Sequence, residues 1–344
     1  MHESFRVGLT RDFLKPDGTL GFGDIGLSVL DQAENVCWEF MSASSAELQP
    51  EEICDYDAIL LLAPRLTAQS LAGSKRLAIV ARFGVGYDNV DLDACTRHNV
   101  LLTITPDGVR RPVAASALAF LLALSHKMFL KDRLTREGRW AEKLDHMGTG
   151  LTGRTLGLIG LGNIGREISA VSRPLDMRHI AHDPYASAEQ ADAAGVELVA
   201  LDELLRQSDF VIVCCALTPQ TRHLLNAERL ALIKPTAYLI NVARGPIIDQ
   251  AALTVVLRER RIAGAALDVF EQEPIDPHDP LLALDNVIVA PHAICWTDEL
   301  FHGNGRAACR SILDVAAGRI PQHVVNRAAL EQPVMQAKLN GYRH

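Results

Sequence analysis

Thr155-Leu156-Gly157-Leu158-Ile159-Gly160-Leu161-Gly162-Asn163-Ile164-Gly165 is the stretch that decides the fold. Thr155 to Ile159 reads as a buried strand, and Ile164 to Val171 reads as the first turns of a helix. Between them Gly160, Gly162 and Gly165 have the G-x-G-x-x-G spacing, weak evidence alone but strong between a strand and a helix. Glycines there bring backbone amides, including those of Asn163 and Ile164, against a pyrophosphate at the positive helix N-terminus. A second strand, Arg178 to His182, ends at Asp183, eighteen residues beyond Gly165. A carboxylate at that place accepts hydrogen bonds from ribose hydroxyls and repels a 2′-phosphate, which favours NAD over NADP. The competing reading of Asp183 is a simple turn with Pro184.

Working outward, short strands alternate with helical stretches along most of the chain. Arg6 to Leu9, Val36 to Met41, Ala58 to Leu62, Ala78 to Ala81 and Val100 to Thr103 form one series. Thr155 to Ile159, Arg178 to His182, Phe210 to Ala216, Ala237 to Val242, Ala263 to Asp268 and Val287 to Ala290 form another. Such alternation predicts parallel sheets covered by helices, so the fold class is α/β with two doubly wound parallel-sheet domains. Thr105-Pro106-Asp107-Gly108 marks the boundary and leads into a long helix, Pro112 to Lys131, with Leu134 to Gly150 as a polar connector. A late helix, Thr297 to Ala317, carries the chain back to the first domain. The expected division is 1–106 with 298–330, then 107–297 including the crossing helix, and a mobile tail at 331–344.

Bulk properties narrow the function. A chain of 344 residues holds about two domains. Its formal net charge of -8, without a long lysine or arginine run, argues against nucleic acid or an anionic membrane as partner. Seven cysteines, an odd number without paired metal-ligand spacing, read as reduced thiols of a cytoplasmic protein, with no metal site. The N-terminus lacks the pattern of a signal peptide, and the apolar run Val113 to Leu124 is too short to span a bilayer.

Downstream of the fingerprint, Asn241-Val242-Ala243-Arg244-Gly245, Asp268-Val269-Phe270-Glu271-Gln272-Glu273-Pro274 and Ala290-Pro291-His292 supply an arginine, carboxylates and a histidine. An arginine forks onto a substrate carboxylate, and a histidine moves a proton near neutral pH. A glutamate orients that histidine, and a nicotinamide supplies hydride. Arg244 follows a strand at the end where α/β sheets place ligands. His292 alone among the twelve histidines follows a late strand in this order, whereas Glu271 reads as a solvated loop acid.

With Phe83-Gly84-Val85-Gly86-Tyr87-Asp88-Asn89-Val90-Asp91 and Thr218-Pro219-Gln220-Thr221-Arg222, the pattern from about Asp57 to Asn326 resembles the D-isomer-specific 2-hydroxyacid dehydrogenase family. The resemblance implies a Rossmann-type NAD domain, a flavodoxin-like substrate domain made of both chain ends, and an active site in the cleft. It implies that Arg244 binds the substrate carboxylate and keto oxygen, that Glu273 pairs with His292, and that His292 protonates the carbonyl oxygen. The backbone at Val85 and Gly86 would complete the carboxylate site. Thr218, Pro219, Ala243 and Asp268 would lie along the cofactor. Arg65 could reach the substrate or stand on the surface, and Arg110 and Arg111 read as structural. The apolar crossing helix points to a homodimer, and the resemblance implies that Trp140 reaches toward the partner's cleft, the competing reading being plain dimer packing.

Three departures from the family pattern bear on the substrate. Ala293-Ile294-Cys295-Trp296 places a thiol and an indole after His292, Val113-Ala114-Ala115-Ser116 replaces a common early-helix glutamate, and Lys15 to Asp24 extends the loop after the first strand. The expected activity is interconversion of a small 2-oxoacid, such as glyoxylate or hydroxypyruvate, and its D-2-hydroxyacid. Competing readings are an NADH-sensing binding protein of the corepressor type and phosphite oxidation. No lysine near Val85 supports the latter, and Glu273 stands where formate-specific relatives carry glutamine.

Overall fold

Two fully buried apolar runs, Ala58–Leu61 and Phe210–Val213, lie inside two separate parallel sheets of the computed structural model. Strands covered on both faces read as continuous apolar runs, the expected mark of helix-covered parallel sheets. The structure describes residues 4–42 and 44–343. The chain divides into a unit of Met1–Val109 with Trp296–His344 and a unit of Arg110–Cys295. These divisions lie a few residues from 106/107 and 297/298, and they put Trp296 in the first unit.

The first unit holds β1 (Phe5–Leu9), β2 (Val36–Phe40), β3 (Ala58–Leu61), β4 (Ile79–Arg82) and β5 (Leu101–Thr103). Their order is β2-β1-β3-β4-β5, all parallel. In that flavodoxin-like order the winding reverses between β1 and β3, and ligands of such sheets bind beyond the strand C-termini at the reversal. Leu62 N–H donates to Thr10 Oγ1 at 3.2 Å and Ala63 N–H to Asp12 Oδ2 at 2.8 Å, tying the two strand exits together.

The second unit holds β6 (Thr155–Ile159), β7 (Arg178–His182), β8 (Glu197–Leu198), β9 (Phe210–Val213), β10 (Tyr238–Asn241), β11 (Gly264–Leu267) and β12 (Val287–Val289). The order β12-β11-β10-β9-β6-β7-β8 reverses between β6 and β9, the Rossmann arrangement. The two-residue β8 was not expected, being too short to show a period.

The helices differ most from expectation. In place of one helix from Pro112 to Lys131, α1 (Pro106–Ser125) is followed by α2 (Met128–Arg136). Pro106 opens α1 at the position where a missing N–H costs nothing, and Lys127 breaks the run at φ 51°. At 20 residues α1 is long and apolar enough to cross a membrane, contrary to the shorter run expected. Its Ala117, Phe120, Leu121 and Leu124 are instead packed with Leu156, Leu158 and Ile240 in the core of the second unit. The late helix α4, numbered after α3 at the fingerprint (Asn163–Ser172), spans Asp298–Ala316. Residues 331–343 are no loose tail. α5 (Pro333–Gly341) buries Met335, and Lys338 Nζ donates to the carbonyls of Leu77 at 2.6 Å and Asn99 at 3.2 Å.

Candidate active site

At the end of β6 the three glycines have separate physical reasons. Gly160 has φ 104°, and a Cβ there would stand 2.8 Å from the Cys215 amide nitrogen. A Cβ on Gly165 would stand 2.3 Å from the Gly160 carbonyl oxygen. Gly162 is the N-cap of α3, no side chain caps it, and nothing lies within 4 Å of where its Cβ would be. Among the described residues the amides of Asn163 and Ile164 donate no backbone hydrogen bond, and amides of that kind at a helix N-terminus are the place a pyrophosphate takes. Asp183 Oδ2 accepts the Leu161 amide at 2.8 Å and Oδ1 accepts the Tyr185 amide at 2.9 Å. Asp183 thus both forms a turn and holds the fingerprint, and a carboxylate keeps further lone pairs for ribose hydroxyls. Thr218 and Pro219 lie in the exposed turn after β9, closed by Thr218 N–H to Thr221 Oγ1 at 2.7 Å.

Further along the same sheet edge, the ends of β10, β11 and β12 converge. Asn241, buried at the end of β10, accepts the Ala243 amide at 3.0 Å and donates to the Arg244 carbonyl at 3.0 Å, which shapes the turn presenting Arg244. Arg244 Nη1 donates to the Ala243 carbonyl at 2.8 Å. Gly245 is obligatory, because a Cβ would overlap the Phe270 carbonyl at 1.9 Å. After β11, Asp268 Oδ1 accepts the amides of Ala293 at 2.9 Å and Ile294 at 3.1 Å, and its carbonyl accepts the His292 amide at 2.8 Å. These bonds hold His292 in a left-handed conformation at φ 54°.

His292 Nδ1 lies 2.7 Å from Glu273 Oε2, while Glu273 Oε1 accepts the Phe270 amide at 3.0 Å. With Nδ1 committed to the carboxylate, Nε2 is the nitrogen left for a substrate. Burial alone would raise the Glu273 pKa. The His292 hydrogen bond, the Phe270 amide and the charges of His292 and Arg244 outweigh it and bring the net value below the usual range. Glu273 therefore stays ionised at neutral pH. Burial raises the Asp268 pKa against its two amide bonds. Burial also pushes the Cys295 thiol up to about 11, so it is no thiolate at neutral pH.

In the first unit, Val85 and Gly86 follow β4. Gly84, at φ 134°, donates its amide to Thr105 Oγ1 at 2.9 Å. Among the described residues the amides of Val85 and Gly86 make no hydrogen bond. Arg65 is exposed beyond β3, its backbone bridged to Ala46 and Leu48.

A family model described as "D-isomer specific 2-hydroxyacid dehydrogenase, NAD binding domain" matches residues 118–293. A glyoxylate reductase of Thermococcus onnurineus is 38% identical over 85% of this chain and 90% of its own. The chain belongs to the D-isomer specific 2-hydroxyacid dehydrogenase family. A crystal structure of a glyoxylate reductase from Paecilomyes thermophila matches this dehydrogenase with a TM-score of 0.78 at 26% identity, covering 95% of this chain and 100% of that one. The holo D-mandelate dehydrogenase of Rhodotorula graminis matches with a TM-score of 0.79 at 26% identity, over 91% and 95%. The protein is an NAD-dependent oxidoreductase acting on 2-hydroxyacids, and its open α3 terminus, Gly162 and Asp183 fit that cofactor.

The dehydrogenase also carries arrangements that its sequence hid. Glu271, expected as a solvated loop acid, pairs with His223 Nε2, and its amide donates to Gln250 Oε1 at 3.0 Å. That pair fixes the segment carrying Glu273, and nothing in local spacing joins residues 48 positions apart. Asn241 was visible within its motif, but its service to the Arg244 turn was not. Arg110 and Arg111 both pair with Glu167, at 3.3 and 3.0 Å.

Proposed function

We propose that this dehydrogenase reduces a small 2-oxoacid, glyoxylate or hydroxypyruvate being the expected type, to the D-2-hydroxyacid, and runs the reverse oxidation. The observation that carries the reading is the His292–Glu273 pair at 2.7 Å, beside which Arg244 supplies the fork for a carboxylate. The glyoxylate reductases among its relatives support the substrate type. Arg244 binds the carboxylate and keto oxygen, with the amides of Val85 and Gly86 and the exposed Arg65 as further anion contacts. His292 donates its proton from Nε2 to the carbonyl oxygen, and Glu273 stabilises the imidazolium before transfer. Bound nicotinamide supplies the hydride that reaches the carbonyl carbon. Asp268 and Asn241 position the turns, and Thr218, Pro219 and Ala243 line the cofactor. In oxidation the proton returns to Nε2.

The test is NADH oxidation, with NADPH in parallel, over glyoxylate, hydroxypyruvate, pyruvate and bulkier 2-oxoacids. Saturable turnover of the small acids is expected, and NADH binding without turnover of any would overturn the reading. Asp183→Ala should narrow the preference for NADH over NADPH by about tenfold or more, an interaction of about 1.5–3 kcal/mol for hydrogen bonds to a charged group. The ratio of the two kcat/KM values cancels any loosening at Leu161, and an unchanged ratio would mean that another group reads the ribose.

The working form is proposed to be a homodimer. Met128 and Phe129 on α2 and Leu144 and Met147 beyond it are 53%, 59%, 83% and 81% exposed, an apolar stretch that a second copy would cover. Trp140, on the same stretch, is assigned to the partner's substrate site. Light scattering should give twice the chain mass, and a Leu144→Glu, Met147→Glu variant should shift toward one chain; a monomeric wild type would exclude the assignment. Seven unpaired cysteines support the reducing cytoplasm as the compartment, which recovery from an oxidising compartment would contradict.

A further inference from the structure

Two of the sequence departures meet in the first unit. The extended loop after β1 brings Phe22 onto Phe301 of α4, ring centroids 4.3 Å apart and 11° between planes. Phe22 stands T-shaped to Trp296 at 5.1 Å and 87°, and to Phe13 at 6.4 Å and 89°. Trp296 stands edge-on to Phe301 at 5.5 Å, and Phe83 closes the group at 5.7 Å from Phe301 and 5.1 Å from Phe13. Four of the ten phenylalanines and one of the three tryptophans are thus gathered in one cluster, although aromatics are only 5% of the chain. Phe13, Phe83 and Phe301 are buried, Phe22 is half-buried, and Trp296 is 50% exposed.

The loop is held firmly. Leu14 and Leu20 form a bridge, the Gly21 amide donates to the Phe13 carbonyl at 2.9 Å, and Asp17 accepts the Thr19 amide at 2.9 Å. At its far end Asp24 pairs with His302 at 3.1 Å, and a Cβ on Gly26 would stand 2.9 Å from the Arg306 amide nitrogen. A ring with one stacked and two T-shaped aromatic neighbours is a fixed filler, since packed aromatics of this geometry resist rearrangement.

Chain connectivity ties this filler to the chemistry. Phe83 precedes Val85, one of the proposed carboxylate contacts, by two residues within the same unit. The cluster also lies beyond β1 and β4, at the sheet edge where this topology receives ligands. A 2-oxoacid offers a carboxylate, a carbonyl oxygen and a face for hydride, and only its side chain is left to meet the aromatic group. We propose that the Lys15–Asp24 loop is a size gate: Phe22, locked between Phe301 and Trp296, fills the space a substrate side chain would need and restricts this dehydrogenase to 2-oxoacids with small side chains. The inference rests on the proposed reductase activity and names the residues that set its substrate size.

The experiment is a gain of function. Wild type, Phe22→Ala and Trp296→Ala are assayed with NADH against glyoxylate, hydroxypyruvate and phenylpyruvate, with Phe22→Leu as a milder variant should the alanine form fold poorly. Opening the cluster should raise the ratio of kcat/KM for phenylpyruvate over glyoxylate by about 10–200-fold, the range that one or a few buried methylenes command in a pocket. A ratio is insensitive to partial unfolding, and NADH binding reports the integrity of the second unit. Unmoved ratios in the folded variants, or a wild type that already prefers phenylpyruvate, would overturn the gate. Absence of turnover of every 2-oxoacid by wild type would instead strike the reductase reading itself.

Discussion

His292→Ala is expected to lower kcat for 2-oxoacid reduction by about 10²–10⁴-fold while NADH binds as in the wild type, the usual range for a lost general acid. The geometry puts the effect in catalysis. Nδ1 is 2.7 Å from Glu273, and the backbone conformation is imposed by Asp268, so the imidazole is a held group with one nitrogen unspent. Its removal leaves the fingerprint at Gly160 to Gly165 untouched, on other strands of the sheet. Fluorescence titration with NADH and single-turnover rates separate binding from proton transfer. A purified variant that keeps wild-type kcat would exclude His292 as the acid.

The second large effect is expected from Arg244→Ala, a loss in kcat/KM on the order of 10³-fold, because truncating one partner of a desolvated charge pair costs about 2–5 kcal/mol. Arg244→Lys should recover only part of it. Lysine restores the charge, but it has no planar fork to match a carboxylate or to reach the Ala243 carbonyl in the same pose. NADH affinity should change little in either variant. Near-normal kcat/KM in Arg244→Ala would transfer the carboxylate to another cation, Arg65 being the first to test.

The parallel sheets were legible because a strand buried on both faces must be apolar throughout, and the fingerprint because glycine is forced by backbone overlap at Gly160 and Gly165. That Arg244, Glu273 and His292 lie beyond strand ends was legible because each follows an apolar strand run, where such sheets place ligands. Helix ends were not. Pro112 looked like a start and is interior: it lies past the first turn of α1, where a proline removes an i→i−4 hydrogen bond, so the local signal marked a boundary that the helix overrides. The tail showed no period because α5 buries only Met335 and Leu339 and is held otherwise by polar contacts of the half-buried Lys338 and Tyr342: Tyr342 Oη donates to Asp57 at 3.0 Å. The His223–Glu271 pair and the aromatic cluster join residues far apart in the chain, and no local pattern encodes such meetings.

The discontinuous first unit sets the order in which the molecule can be made. Leu102 N–H bonds to Asn326 Oδ1 at 2.9 Å, Thr103 bridges to Val324, and Leu77 waits for Lys338. Strands β1 to β5 leave the ribosome first, yet about 190 further residues separate Val109 from the segment that completes them. At ordinary synthesis rates that is a wait of roughly 10–40 s, during which the NAD-binding unit can finish folding around its own uninterrupted chain. A nascent chain arrested after Cys295 should accordingly show protease-resistant β6 to β12 and protease-sensitive β1 to β5. For this dehydrogenase, the unit matched as NAD-binding can be complete before the first unit is.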